Sequence, residues 1–281
     1  APEAGDRRRS SPPDVVIEYG EVPRQLSRPQ QKTAWYEAAA GEFLLSAESI
    51  ARYYVQGGSR IVITAEPGVA EGKILIYLMG SAMGALLHQR KVLVLHAGAV
   101  TKKNYAVIFL GPSGAGKSTL AAAFHQRGLA FLADDVCAIS FDDGAPAVIP
   151  GFPQLKLWED ALAKLGKDKG GLKRVVWIKN LEKYFMPVEH EHDGPVRLKS
   201  VFSLEAADTA HIEVHALRGG AKLEPLVANT YRRGFLDGLG GKKEYFRQCA
   251  RVAAQSEVYR VLRPRDKFLL DELADMLEAE F

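Results

Sequence analysis

Hydrophobic and polar positions change rhythm several times along the chain. From residue 1 to about 32 the sequence is rich in Pro, Arg, Ser and Gln, with little to bury, and a flexible segment is expected over 1–32. Strand-like runs follow: "ARYYV" and "RIVIT" carry β-branched and aromatic residues, and the intervening "QGGS" predicts a hairpin. Over 73–89 apolar residues recur at helical spacing, with Gly80, Ala82 and Gly84 small enough to permit close packing. "KVLVLHAGAVTKKNYAVIFL" reads as two strands, 92–95 onward and 106–110, flanking the polar turn "TKKN". "KSTLAAAFHQRG" predicts a helix ended by Gly128, and "LAFLADD" a short buried strand ending in charge, with "VCAISF" continuing it or starting the next.

The remainder alternates in the same way. "WEDALAKLG" predicts a short helix ending at Gly166, "KDKGGLKRVVWIKN" a basic loop running into a strand, and "VRLKSVFSLEA" a strand. "KLEPLVANTYRRGFLDGL", "KEYFRQCARVAAQ" and "DKFLLDELADMLEAEF" predict helices, and "VYRVLR" a strand. No internal repeat is present. The expected class is α/β with a strand-rich first third: a flexible segment over 1–32, a strand-rich part over 33–95 packed on the core, and the core itself over 96–281.

Composition narrows the function classes. With 47% hydrophobic and 25% charged residues the chain has an ordinary globular make-up. A formal net charge of +3, with no stripe of Lys and Arg interleaved with aromatics, predicts no nucleic-acid partner. The longest apolar run, over 74–87, is too short and too interrupted by glycine to span a membrane, and the N-terminal arginines have no apolar segment behind them. Cys137 and Cys249 form no closely spaced pair, so neither a zinc site nor a disulfide framework is expected. A soluble, cytoplasmic protein is predicted.

One stretch carries chemistry. "GPSGAGKS" fits G-x-x-x-x-G-K-[ST], with Gly111, Gly116, Lys117 and Ser118 in the defining places and Pro112, Ser113, Gly114 and Ala115 between them. Glycines let such a loop turn its N–H groups inward around phosphate oxygens. Lys117 would reach the outer phosphates, the Ser118 hydroxyl is placed to ligate Mg²⁺, and the helix that continues through Thr119 points its positive end at the same anion. The loop follows an apolar strand and opens a helix, the context the pattern requires. ATP and Mg²⁺ are the expected ligands.

Asp134 and Asp135 come at the end of the next predicted strand, where open α/β sheets present ligand-facing residues. A carboxylate there can accept the proton of an acceptor hydroxyl or hold the metal. Because neighbouring strand residues point to opposite faces, at most one of the two is expected to face the phosphate.

Weaker signals compete with ordinary structural roles. His96 ends an apolar strand, where a satisfied core histidine is the common outcome. Glu189, His190, Glu191, His192 and Asp193 read as a solvated turn rather than a metal site, and His211 and His215 lie on a strand pattern, without a helical reason to pair. Lys173 and Arg174, or Arg232 and Arg233, could clamp an anion, but are more often surface charge.

The residues "LHAGAV…AVIFLGPSGAGKSTLAAAFHQRGLAFLADDV" resemble the catalytic core of HPr kinase/phosphorylase and its relatives, whose phosphate-loop architecture is shared with phosphoenolpyruvate carboxykinase. The similarity is nearer to the HPr-kinase-like enzymes encoded with lasso peptide clusters. It implies a mixed-sheet kinase core and ATP-dependent transfer to a serine hydroxyl of a peptide, the C-terminal serine of a lasso peptide precursor. It makes Asp134 the base, gives Asp135 an orienting or metal-binding role, and sets His96 beside the carboxylates. The chain departs from HPr kinases at Pro112 and Thr119, and lacks their Pro-Gly-Arg-Asn-like loop. A small-molecule kinase (shikimate-type or free serine) and a nucleotide-binding regulatory protein are the competing readings, and a homo-oligomer is left open.

Overall fold

The computed structural model describes residues 13–175, 182–189, 192–265 and 267–281. It is a mixed α/β structure built on three sheets. The first third forms a six-stranded sheet from β1 (Val16–Tyr19), β2 (Gln31–Lys32), β3 (Tyr36–Ala39), β4 (Glu42–Ala47), β5 (Ala51–Gln56) and β6 (Arg60–Ala65), in the order β1-β6-β5-β4-β3-β2. Strands β2 to β6 run as antiparallel neighbours, and the "QGGS" hairpin joins β5 to β6. A rod of α1 (Glu71–Tyr77), one turn of π-helix (Leu78–Ala82) and α2 (Met83–Gln89) covers one face. Its buried residues Ile74, Leu78, Ala82, Ala85 and Leu86 recur at helical spacing and meet Phe43, Leu45, Tyr53, Val55 and Ile63.

The expectation of a loose segment over 1–32 is overturned for part of it. β1 pairs in parallel with β6, and β2 pairs with β3. Between them two apolar side chains in an otherwise polar stretch, Val22 and Leu26, are buried against Leu44 and Val62. Leu26 donates its N–H to the Glu37 carboxylate at 2.7 Å, and Arg52 donates to the carbonyls of Val22 and Pro23. Two anchors and main-chain pairing suffice where composition suggests disorder. Residues 1–12 of that segment lie outside the described residues.

The core sheet comprises β7 (Leu93–Leu95), β8 (Ala97–Lys102), β9 (Tyr105–Leu110), β10 (Ala130–Ala133), β11 (Cys137–Ser140) and β12 (Ala147–Ile149), joined later in the chain by β16 (Val196–Ala207), β17 (Glu213–Ala216) and β18 (Glu257–Pro264). The order is β10-β8-β9-β16-β12-β11-β7, with β18 and then β17 added on β16. The centre is parallel, β9 beside β16 beside β18. β9 is buried along five of its six residues, as expected of a strand covered on both faces. A third sheet is formed by β13 (Gln154–Trp158), β14 (Lys173–Arg174) and β15 (Lys183–Pro187), with α4 (Glu159–Lys164) following β13.

One face of the core sheet holds α3 (Lys117–Gln126) and α8 (Leu270–Glu278). Phe109, Phe124, Phe202 and Tyr259 stack there ring on ring, and Leu155, Leu157 and Tyr184 of the third sheet join the same cluster. The other face holds α5 (Leu223–Ala228) and α7 (Lys242–Gln255), which bury Leu226, Tyr245, Cys249 and Val252 against Ile108, Ile139 and Val201.

Two sequence expectations change here. The helix predicted over "KLEPLVANTYRRGFLDGL" is split into α5 and α6 (Phe235–Leu239). At the break the Asn229 and Thr230 side chains bond back to the carbonyls of Pro225 and Val227, each at 2.8 Å, and Thr230 forms a bridge with Leu95, so side-chain and sheet partners replace helical ones. The strand predicted from 92–95 onward is also two strands, because β7 pairs with β11 and β8 with β9, and the chain changes partner at His96.

Candidate active site

The site lies where β9 hands over to α3. Gly111, Gly114 and Gly116 have φ of 144°, 83° and 87°, values that side-chain-bearing residues rarely adopt. At Gly111 the need is also spatial: a Cβ would stand 2.7 Å from the Leu204 carbonyl oxygen and 2.9 Å from the Ala115 Cβ. The Gly111 N–H donates to Asn229 Oδ1 at 3.0 Å, so the break between α5 and α6 anchors the start of the loop. Lys117 Nζ donates to the carbonyls of Gly111 at 2.8 Å and Pro112 at 3.1 Å. Burial pushes the Lys117 pKa down, against the pull of Asp134 and Asp135.

Past the end of β10 the chain turns on itself. Val136 N–H donates to the Asp134 carbonyl at 2.9 Å, and Asp135 takes a φ of 72°. This overturns the expectation that only one aspartate faces the site. Strand alternation no longer applies at Asp135, and both side chains line one cavity. Their partners differ. Ser118 Oγ donates to Asp134 Oδ1 at 2.7 Å, and the Lys156 N–H donates to Asp134 Oδ2 at 3.0 Å. His96 Nε2 lies 3.1 Å from Asp135 Oδ1, and Lys156 Nζ donates to Asp135 Oδ2 at 3.1 Å.

Environment separates the two carboxyls. Burial, with the Asp135 charge adding to it, holds the Asp134 carboxyl above the usual range, although two hydrogen bonds oppose the rise. Burial acts upward on Asp135 too, but there the His96 hydrogen bond and the Lys156 charge win, and the carboxyl stays well below the usual range. Lys156 shows the counterpart: burial lowers its pKa, the Asp135 charge outweighs that, and the net shift is upward. His96 is held from behind, its main-chain N–H donating to the Asn229 carbonyl at 2.8 Å with the Tyr231 ring edge-on at 6.3 Å.

The cavity measures about 420 Å³, within the range of small-molecule sites. Loop residues Ser113 to Gly116, with Lys117, Ser118 and Thr119, form its floor, while Gly111 and Pro112 stand behind the loop as carbonyl partners of Lys117. Charge is uneven along the wall. Lys117, Lys156, Lys164, Lys183, Arg263 and Lys267 face Asp134, Asp135 and Asp160, so cations prevail, as a polyanionic ligand requires. Ile212, Pro264, Phe268, Leu269 and Leu273 make the remaining wall apolar.

Sequence reasoning missed Lys156, Asn229, Lys183 and Arg263. "QLKLW" and "ANTYRR" carry no motif, and their residues reach the site only through tertiary contacts. For Arg263 there was a hint in its place at the end of the apolar run "VYRVLR". Other candidates fall elsewhere. Lys173 and Arg174 lie exposed on β14, with Arg174 against Glu182 at 2.5 Å. Arg232 sits over the Trp35 and Tyr231 rings. His190 and Glu191 lie outside the described residues, and His192 Nε2 contacts Thr101 Oγ1 at 3.0 Å. His215 pairs with Glu213 on β17. Among the described residues no three His, Cys, Asp or Glu side chains come together as a metal cluster, and no helix is long and apolar enough to cross a membrane.

No protein-family profile matches the sequence, and a search of curated proteins finds no match. Among solved structures, the HPr(Ser) kinase/phosphatase from Coxiella burnetii aligns over 66% of this chain and 89% of its own, with a TM-score of 0.33 and 11% sequence identity. A likeness of that degree assigns nothing, and the functional reading rests on the cavity.

Proposed function

We propose that the protein is an ATP- and Mg²⁺-dependent phosphotransferase that acts on a serine hydroxyl of a peptide. The sequence resemblance narrows the acceptor to the C-terminal serine of a lasso peptide precursor. The observation that carries the reading is the Ser118–Asp134 hydrogen bond at 2.7 Å, with Asp135 opening into the same cavity. A hydroxyl and a carboxylate beside a phosphate loop are what a magnesium ion shared with phosphate oxygens needs, since that ion keeps several waters and takes few protein ligands. Ser118 and Asp134 would hold it, and it would neutralise charge on the phosphate oxygens.

This division of labour differs from the one the resemblance implies, which makes Asp134 the base. Asp134 bonds to Ser118, the hydroxyl placed for the metal, and to the Lys156 N–H, whereas Asp135 is held by His96 on one oxygen and by Lys156 Nζ on the other. Asp135 accepts the proton of the serine hydroxyl as the P–O bond to the nucleoside diphosphate breaks and the P–O bond to serine forms. A carboxylate with a depressed pKa is a weak base, which suits a loose transition state in which the proton leaves late. Before that point Asp135 orients the hydroxyl. Lys117 offers positive charge to the phosphate chain.

Intact-mass spectrometry after incubation with ATP and Mg²⁺ tests the reading on three acceptors: a lasso precursor peptide ending in serine, an HPr-like protein, and free serine. Phosphate is expected on the peptide alone. Asp135→Asn should lower transfer about 10²- to 10⁴-fold, the usual weight of general base catalysis, while ATP still binds. Transfer to free serine alone would replace the peptide with a small acceptor. No transfer to any acceptor despite ATP binding would overturn the enzyme reading in favour of a regulatory nucleotide-binding protein.

A further inference from the structure

Side chains on β18 alternate between faces, so Tyr259, Val261 and Arg263 point to the face that α3 covers. The first two are buried in the aromatic cluster beneath α3. Arg263 is the next residue on that face, one step past the core, and it emerges at the start of α3. Its guanidinium nitrogens lie 3.9 Å from where a Cβ on Gly116 would stand.

The arginines around it are paired. Arg260 meets Glu205 at 3.1 Å and Glu224 at 3.3 Å, and Arg265 lies 3.4 Å from Asp208. Arg263 has no carboxylate or hydrogen-bond partner among the described residues, and its Nε is buried without one. Burial alone acts on its pKa, downward. Arg263 is half-buried, and desolvating part of a cation without a counter-charge is costly, a cost that a bound anion would offset. A guanidinium offers a planar fork of donors that matches two oxygens of a phosphate group.

We propose that Arg263 is an anion receptor for the phosphate chain of the nucleotide, a second fixed cation opposite the glycine loop. The proposal rests on the reading of that loop as a triphosphate site. Arg263 also stands beside Pro264, and Phe268 and Leu269 line the same cavity. The chain that presents the cation thus also supplies apolar wall.

The test is calorimetric titration with Mg-ATP and with inorganic triphosphate, on the full chain and on Arg263→Gln and Arg263→Lys, alongside thermal unfolding without ligand. Arg263→Gln should weaken both ligands about 10- to 100-fold, the weight of charge-assisted hydrogen bonds, and Arg263→Lys should recover part of that loss. The unliganded Arg263→Gln protein should unfold at the same temperature or higher, because the substitution removes an unpaired charge, whereas a structural arginine would give a lower one. Unchanged affinities in Arg263→Gln, a loss of unliganded stability that accounts for the weaker binding, or a full-length chain that binds neither ligand would each overturn the proposal. Tight binding without phosphotransfer would sink the enzyme reading and leave Arg263 standing. Normal binding and transfer by Arg263→Gln would do the reverse.

Discussion

At the scale of single residues, the two aspartates carry opposite signs. Asp134 has its carboxyl pKa raised by burial, so the native state holds that proton more tightly than the unfolded chain does. Its ionisation therefore costs stability as pH rises from the ordinary value of 3.8 through the folded value. Asp135 has a depressed pKa and stabilises the fold above 3.8, with that contribution lost as pH falls towards the folded value. Without ligand at pH 7, Asp134→Asn should unfold at or above the wild-type temperature, since its amide can still meet Ser118 and Lys156 N–H. Asp135→Asn should unfold below it, and the gap between the variants should shrink from pH 7 to pH 3. Equal losses at both pH values would contradict the assigned environments. Their place at the end of a strand was legible in the sequence. Their different partners were not, because Lys156 comes from β13, whose sequence gives no sign that it crosses the cavity.

At the scale of elements, the small residues of 73–89 do more than let a helix approach a sheet. A Cβ on Gly84 would stand 2.7 Å from the Tyr231 ring, and one on Gly80 would stand 3.3 Å from its hydroxyl. Tyr231 in turn flanks His96, which orients Asp135. Gly84→Ala should therefore cost about 1–3 kcal/mol by overpacking and lower the proposed phosphotransfer, although Gly84 is not among the residues lining the cavity. Gly72→Ala is the control: nothing lies within 4 Å of its Cβ position, and alanine favours the helix. Thermal unfolding and turnover of both variants check the pair, and equal effects would remove Tyr231 as the link. The strand–loop–helix unit was readable because it is local: apolar strand, glycines, lysine and helix are contiguous. The split into α5 and α6 was not, since Asn229 and Thr230 act through distant partners, Gly111 and Leu95.

At the scale of the molecule, the six-stranded sheet and the core are joined by aromatic packing. Phe235, on α6, is 1% exposed, with its ring centroid 4.4 Å from that of Phe43 and 4.8 Å from that of Tyr36. Tyr36 Oη donates to the Gly234 carbonyl at 3.2 Å. Burial across this junction ties the stabilities of the two parts together, so the wild type is expected to unfold in one calorimetric transition. Phe235→Ala should cost about 3–5 kcal/mol and separate the transition into two. A single transition at a merely lower temperature would show that other contacts maintain the coupling.

The sequence by itself determined what depends on neighbours along the chain: the α/β alternation, the hairpin at "QGGS", the glycine-rich loop with Lys117 and Ser118 between a strand and a helix, and the presence of two carboxylates after the next strand. These follow from periodicity, from the conformational freedom of glycine, and from spacing within a single strand–turn–helix unit. Tertiary structure alone decided the rest. It ordered Val16–Tyr19 through pairing with a strand more than 40 residues away, turned both aspartates into one cavity, brought Lys156 and Arg263 to it from β13 and β18, and set Asn229, between α5 and α6, against the start of the loop. The physical reason is common to all three. A lone lysine, asparagine or arginine has no local pattern to mark it, and its role arises from the charges and hydrogen-bonding groups that the sheet order sets around it.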